Sequence, residues 1–206
     1  MARKPLTNPR KNASQNRSRA TVDALIEATA RILVREGFEK ASTNRIAELA
    51  GVSVGSLYQY FPSKEALVAA VIDRHNQEIM RVVRAALAET IELPIEKAVR
   101  RLVAVAIEAH RIDPKLHPVL AEQIPRTGQL KDVEAFNREI LSLVRAYLES
   151  RSELRKIDPE LAAFACVSAI EAVAHNAVLN QADTLSDKMV RTLVDETTRM
   201  VVGYLR

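Results

Sequence analysis

From Leu49 to Lys64 the chain carries no Asp or Glu, and its polar residues there are Ser53, Ser56, Tyr58, Gln59, Tyr60, Ser63 and Lys64. Hydroxyls and an ammonium donate to phosphate oxygens, and a glutamine amide matches the edge of a base. A carboxylate on the same surface would repel a polyanion. These residue types suit nucleic-acid recognition rather than bond making. Three positions also break local rules. Arg45 lies in the first turn of one helical pattern and Lys64 in the first turn of another, where the helix dipole favours acids. Gly55 lies near the start of a helix, at a cost of ~1 kcal/mol relative to alanine. Such departures concentrate at functional sites. A polyanion against these helix ends would account for all three; the competing reading is a compact helical core with an ordinary polar face.

The elements that must position these groups are two short helical patterns in TNRIAELAGVSVGSLYQYFPSK, residues 43–64, joined at Gly51. Ile46 and Ala47 precede the turn, Val52 lies inside it and Leu57 follows it. Ala47 stands four residues before Gly51, where two crossing helices come close and only a small side chain fits. This is the apolar skeleton of a helix-turn-helix, which lays its second helix in the major groove of DNA.

The same residues carry a family resemblance. Gly37-Phe38 followed by ASTNRIAELAGVSVGSLYQYFPSKEAL, from Ala41 to Leu67, resembles the N-terminal DNA-binding domain of TetR/AcrR-family transcriptional regulators. The resemblance covers residues 17–70. It implies that Thr43, Asn44, Val54, Gly55, Ser56, Tyr58, Gln59, Tyr60 and Lys64 face DNA. By their chemistry Ser56 and Gln59 suit base edges, and Thr43, Tyr58, Tyr60 and Lys64 suit phosphates. The rest of the chain shows no motif.

Composition sets the frame. In 206 residues, 48% are hydrophobic, 4% are aromatic and five are glycine, with no Trp. That mixture indicates an all-α protein with an aliphatic core. Residues 1–64 hold eleven Lys/Arg against five Asp/Glu, while residues 65–206 hold nineteen against twenty-one. The positive charge therefore travels with the helix-turn-helix, as DNA binding requires. Cys166 is the only cysteine, which excludes an intrachain disulfide and reads as a small buried hydrophobe. The first residues contain no apolar run of the signal-peptide kind, and no apolar run approaches the ~18 residues of a membrane span. A cytoplasmic, membrane-free protein is expected.

Along the chain, residues 1–16 are rich in Pro, Asn, Ser and basic side chains. Arg3, Lys4, Arg10 and Lys11 form either a DNA-reaching arm or a solvated tail. About nine helices are expected: residues 18–36, 43–50, 54–60, 63–90, 94–110, a short sixth after Asp113-Pro114, 129–152, 159–181 and 185–205. Residues 1–64 form a three-helix DNA-binding domain with its arm, and residues 65–206 an effector-binding and dimerisation domain. The fourth helix is too long for the small domain alone and connects the two. The Pro- and Gly-interrupted segment 112–128 is its expected movable neighbour. The eighth helix is apolar over much of its circumference and must be covered on more than one side. With the ninth it suits either a four-helix dimer interface, for which Phe164, Val194 and Val201 are the candidates, or an intrachain core. The resemblance implies the dimer.

Other constellations are sparse. The four histidines form no close metal-ligand pair, and no Gly-rich phosphate loop, nucleophile elbow or paired-carboxylate motif occurs. No catalytic residue, metal or cofactor is assigned. Glu171 and His175 lie four apart on an apolar helix and need partners: a buried hydrogen bond, a contact across a dimer, or a ligand's polar group. Phe136 and Tyr147 share a face of the seventh helix, and with the family resemblance Phe136, Glu171 and His175 are the candidate ligand residues. The sequence points to a homodimeric DNA-binding regulator on a near-palindromic operator, most simply a repressor released by a small, mostly apolar effector. Two alternatives are a ligand-independent, chromosome-organising DNA-binding protein and an enzyme on a helical scaffold; the missing catalytic cluster opposes the latter.

Overall fold

The computed structural model describes residues 16–112, 115–116, 118–120, 123, 130–181 and 186–206. Among them are eight α-helices and no strand: α1 (Asn16–Lys40), α2 (Thr43–Ala50), α3 (Val54–Tyr60), α4 (Lys64–Thr90), α5 (Ile95–Ile112), α6 (Leu130–Glu149), α7 (Pro159–Gln181) and α8 (Asp187–Leu205). The basic residues of the expected arm, Arg3, Lys4, Arg10 and Lys11, lie outside the described residues, as does most of the expected short helix after Asp113-Pro114. Of that segment, Leu116, residues 118–120 and Gln123 are helical.

The chain divides into two compact units, one of Met1–Asn76 with Lys115–Val133 and the other of Gln77–Pro114 with Glu134–Arg206. The expected boundary at 64/65 gives way to one inside α4. The reason is packing: Leu67, Val68, Val71 and Ile72 are buried in the first unit's core. That core joins them to Leu25, Ile32 and Leu33 of α1, Ile46 and Ala47 of α2, Leu57 of α3 and Phe61. Leu116 and Leu120 also pack into it. In α1 the helical geometry breaks at Gly37, with φ 78° and ψ 172°. The helix proper thus stops where a residue without Cβ can leave it.

In the second unit α5 packs on α7 and α8, which also pack on each other. Ile95, Val103 and Ile107 of α5 meet Ala162, Ala174 and Val178 of α7 and Val194, Val201 and Leu205 of α8 in one core. The alanines of α7 let its neighbours approach closely. Tyr147 of α6 joins the core, and its hydroxyl donates to the Thr90 carbonyl at 3.3 Å. Arg151 reaches the carbonyls of Ile91 and Leu93, closing the turn between α4 and α5. Cys166 is buried in this core, and desolvation pushes its thiol up to about 11. It remains a protonated thiol at neutral pH, consistent with a packing role.

Of the candidates for a dimer interface, Val194 and Val201 are 6% and 3% exposed and pack in the chain's own core. A helical repeat of apolar residues does not say which body it faces, and here the buried stripe of α8 faces α5. Conversely, Pro159–Val178 in α7 is long and apolar enough, by length and composition, to cross a membrane, yet a third of it is buried inside the chain. Its alanines supply the apolar length that the larger residues alone do not.

Val194→Asp is expected to destabilise the chain by more than about 3 kcal/mol, because it buries an unpaired charge. Chemical denaturation of the variant measures this.

Candidate nucleic-acid interface

The candidate interface is built on three serine caps and one left-handed turn. The Ser42 hydroxyl accepts from the Arg45 backbone N–H at 3.3 Å and starts α2. Gly51 ends it with φ 68° and ψ 29°. Its N–H reaches the Glu48 carbonyl at 3.1 Å, and the Val52 N–H reaches Ala47 at 3.0 Å. Glycine supplies this conformation without steric cost. Ser53 then caps α3, its hydroxyl accepting from the Ser56 N–H at 3.1 Å. Ile46, Ala47 and Leu57 are buried beneath the turn and fix the crossing of the two helices. Ser63 opens α4 in the same manner, accepting from the Ala66 N–H at 3.2 Å.

Above this buried layer Asn44, Gly55, Tyr58 and Gln59 are exposed, and Thr43, Val54, Ser56 and Lys64 are half-buried. The Thr43 and Tyr58 hydroxyls share a hydrogen bond of 3.0 Å, which ties the first residue of α2 to the middle of α3. The Ser53 and Ser56 hydroxyls share another, of 2.8 Å. Ser56 is thereby partly occupied within its own turn, while Gln59 is exposed. Tyr60 is only 7% exposed and packs in the first core.

Two of the three local-rule departures have partners inside the chain, and the reading that a polyanion explains all three is corrected. Arg45 donates to the Glu36 carboxylate through Nη2 at 2.8 Å and Nε at 3.2 Å. The hydrogen bond and charge of Glu36 hold the Arg45 guanidinium above its ordinary pKa. Lys64 donates from Nζ to the Phe38 carbonyl at 3.0 Å and sits 3.9 Å above the Phe38 ring. It therefore fastens the start of α4 to the end of α1. The pairing of Arg45 with Glu36 and of Lys64 with Phe38 was not legible in the sequence, because nothing in a periodic pattern links a residue to a partner across a turn. Gly37, between Glu36 and Phe38, was the available signal, since it bends that end of α1 back toward α2 and α4.

In the second unit, Glu171 and His175 gather around a third residue. His110 of α5 is buried, with Nδ1 2.8 Å from the Ala106 carbonyl and Nε2 3.5 Å from the Glu171 carboxylate. The His110 and His175 rings meet edge to face, with centroids 6.1 Å apart. An intrachain imidazole thus lies beside the pair whose partner the sequence left open. Phe136 is half-buried on α6. A separate open groove of about 540 Å³ runs between α6 and the start of α7, lined by Arg138, Leu141, Arg145, Asp158, Leu161 and Phe164 among others. Phe164 is 58% exposed there. Among the described residues no group of three His, Cys, Asp or Glu is placed to hold a metal ion.

A family model described as "Tetracyclin repressor-like, C-terminal domain" matches residues 94–205, more than half of the chain. The chain belongs to the TetR family. A second model, "Bacterial regulatory proteins, tetR family", matches residues 25–71 and so spans the whole α2–Gly51–α3 turn. The nucleoid occlusion factor SlmA of Haemophilus ducreyi is 29% identical over 116 residues, 56% of this chain and 55% of its own length. The uncharacterized HTH-type transcriptional regulator Rv1255c of Mycobacterium tuberculosis is 29% identical over 139 residues, 66% of each. The chain thus spans between about half and two thirds of these relatives. A solved TetR-like transcriptional regulator from Rhodococcus sp. RHA1 superposes with a TM-score of 0.68 at 25% identity, covering 90% of this chain and 95% of that one. This TetR-family fold agrees with the all-α reading of the sequence.

Lys64→Ala is expected to lower stability by about 1–2 kcal/mol through loss of the Phe38 carbonyl and ring contacts. Urea denaturation compares it with wild type.

Proposed function

We propose that the chain is a cytoplasmic, sequence-specific DNA-binding transcriptional regulator that acts as a homodimer on a near-palindromic operator. Its simplest output is repression, relieved by a small, mostly apolar ligand of the second unit; it has no catalytic activity and no cofactor. The observation that carries the DNA-binding part is the acid-free outer surface of α3, held by the buried Ile46–Ala47–Leu57 layer. Gln59 reads a base edge, and the Thr43–Tyr58 hydroxyl pair and Asn44 face the backbone, where phosphate contacts fix register.

Dimerisation fits the exposed apolar residues Leu161, Phe164 and Met200, which are at least half exposed on α7 and α8. Leu161 and Phe164 share one face of α7, and apolar side chains grouped on a surface mark a site for a partner. Two copies so joined would present two α3 helices to half-sites about one helical turn apart. Effector control would use α4, a single helix that contributes residues to both units. A ligand wedged against it in the second unit would change the spacing of the α3 helices. Phe136 would offer that ligand an apolar wall, and the Glu171–His175–His110 cluster polar groups. A tenfold release from DNA needs about 1.4 kcal/mol of differential affinity between the two states. The segment 112–128, expected to move with α4, lies mostly outside the described residues.

The match to a nucleoid occlusion factor supports a second reading, a ligand-independent DNA-binding protein spread over many chromosomal sites. Genome-wide immunoprecipitation separates the two: a few promoter sites favour the regulator, and a dispersed pattern favours the chromosome-organising protein.

Two outcomes are expected. Gln59→Ala relaxes preference at one base pair per half-site, by about 1–3 kcal/mol. Selection from randomised duplexes measures it, and an unaltered consensus would remove Gln59 from base reading. Met200→Asp yields a folded monomer at micromolar concentration in sedimentation; a folded dimer from this variant and from Phe164→Asp would exclude this surface.

A further inference from the structure

The open groove between α6 and the start of α7 has walls of opposite charge. Arg138 and Arg145, seven residues apart and so on one face of α6, supply one wall. Asp158 and Glu160 supply the other, with Leu161 and Phe164 beside them. Among the described residues neither arginine pairs with either of these acids. Arg138 has Glu134 at 3.9 Å and Arg145 has Glu149 at 3.7 Å, both on α6 itself and both beyond hydrogen-bond length. Opposite charges thus face one groove without closing it. Leu161 and Phe164 are 57% and 58% exposed there.

An occupant must bring anions to the α6 wall, cations to the α7 wall and apolar surface to the space between them. A simple ion or a singly charged amphiphile satisfies one wall and leaves the other unpaired. The chain's own surface has all three features. A twofold dimer presents the same patch twice, so a patch that carries both signs can complement itself. We propose that a second copy of this chain covers the groove, with Arg138 and Arg145 of each protomer opposite the partner's Asp158 and the partner's Glu160. Leu161 and Phe164 are then buried between the charged rows.

The proposal rests on the homodimer reading given above. It adds α6 to that interface and makes the wall charges a selector of partner. A chain of the same fold with other charges at these positions meets like signs or none, and like charges set against each other repel. Charges at such a rim are screened by salt, so the dimer weakens as salt rises.

The experiment compares wild type with two variants by sedimentation at micromolar concentration. One is Arg138→Glu with Arg145→Glu, whose groove is acidic throughout. The other is Asp158→Asn with Glu160→Lys, whose groove is basic. Asp158→Asn keeps an acceptor for the backbone N–H of residue 160, to which the Asp158 carboxylate bonds at 2.9 Å. Each variant alone is expected to dissociate at least about tenfold more readily than wild type, because like charges meet at both contacts. Mixed in equal amounts, the two are expected to form a heterodimer within about threefold of wild-type affinity, because each contact then joins opposite signs.

Variants that self-associate as tightly as wild type overturn the proposal and leave the homodimer reading standing. Two folded variants that stay monomeric when mixed also overturn it, since the charges then serve each chain alone. If charge reversal costs a chain its helical circular dichroism, Arg138→Gln with Arg145→Gln decides. That neutral variant is expected to dimerise several-fold more weakly than wild type and with a shallower salt dependence; an unchanged dimer overturns the proposal. A wild type that is monomeric at micromolar concentration sinks the homodimer reading and this proposal together.

Discussion

The close crossing of α2 and α3 beneath Gly51 is the constraint on which the exposed face depends. Ala47 and Leu57 are almost wholly excluded from solvent there, and the left-handed glycine allows the chain to reverse within two residues. α3 is only seven residues long, too short to be stable by itself. Its orientation comes from Leu57, Tyr60 and Phe61, which hold it in the core by burial. The outward residues are then free of packing duties. That division of labour lets Gln59 and Tyr58 stay exposed on a rigid base, and it explains why the candidate surface can be polar while the helix beneath it persists.

A second set of contacts fixes this small unit at its edges. Arg45 with Glu36 and Lys64 with Phe38 both converge on the end of α1 next to Gly37. The two cations sit where helix dipoles disfavour them, and each has a nearby acceptor that compensates. Half-buried, the Lys64 contact is sheltered from solvent, whereas the exposed Arg45 pair contributes less because water and salt screen it. The Lys64 bond fixes where α4 begins within the first unit. A change in the direction of α4 would thus have to deform an anchored start, which gives the helix a defined rest position.

The sequence was most informative where local chemistry admits one solution. Gly51 between two amphipathic segments marked the turn, and Pro94, Pro159 and Ser63 sit within a residue of observed helix starts. The acid-free run from Leu49 to Lys64 located the candidate surface for the same reason: charge exclusion is visible one residue at a time. It was less informative where two bodies have the same chemistry. An apolar stripe on α8 suits the chain's own core as well as a second copy, so Val194 and Val201 could not be assigned by periodicity. Phe164 differs only because the three-dimensional packing leaves it outside. Likewise Glu171 and His175 announced a missing partner, but His110, more than sixty positions earlier, follows no spacing rule that would name it.

The most direct measurement on the central claim is a salt titration of duplex binding by the intact wild-type protein. The duplexes are a site selected from random DNA and a scrambled control. If the acid-free face of α3 and its surrounding cations and hydroxyls lie against phosphates, the logarithm of the binding constant falls linearly with the logarithm of salt. Each neutralised phosphate contributes about −0.9 to the slope, and the selected site keeps a preference of at least about a thousandfold over the scrambled one. Binding that is absent, or that is independent of salt and indifferent to sequence, would contradict the account.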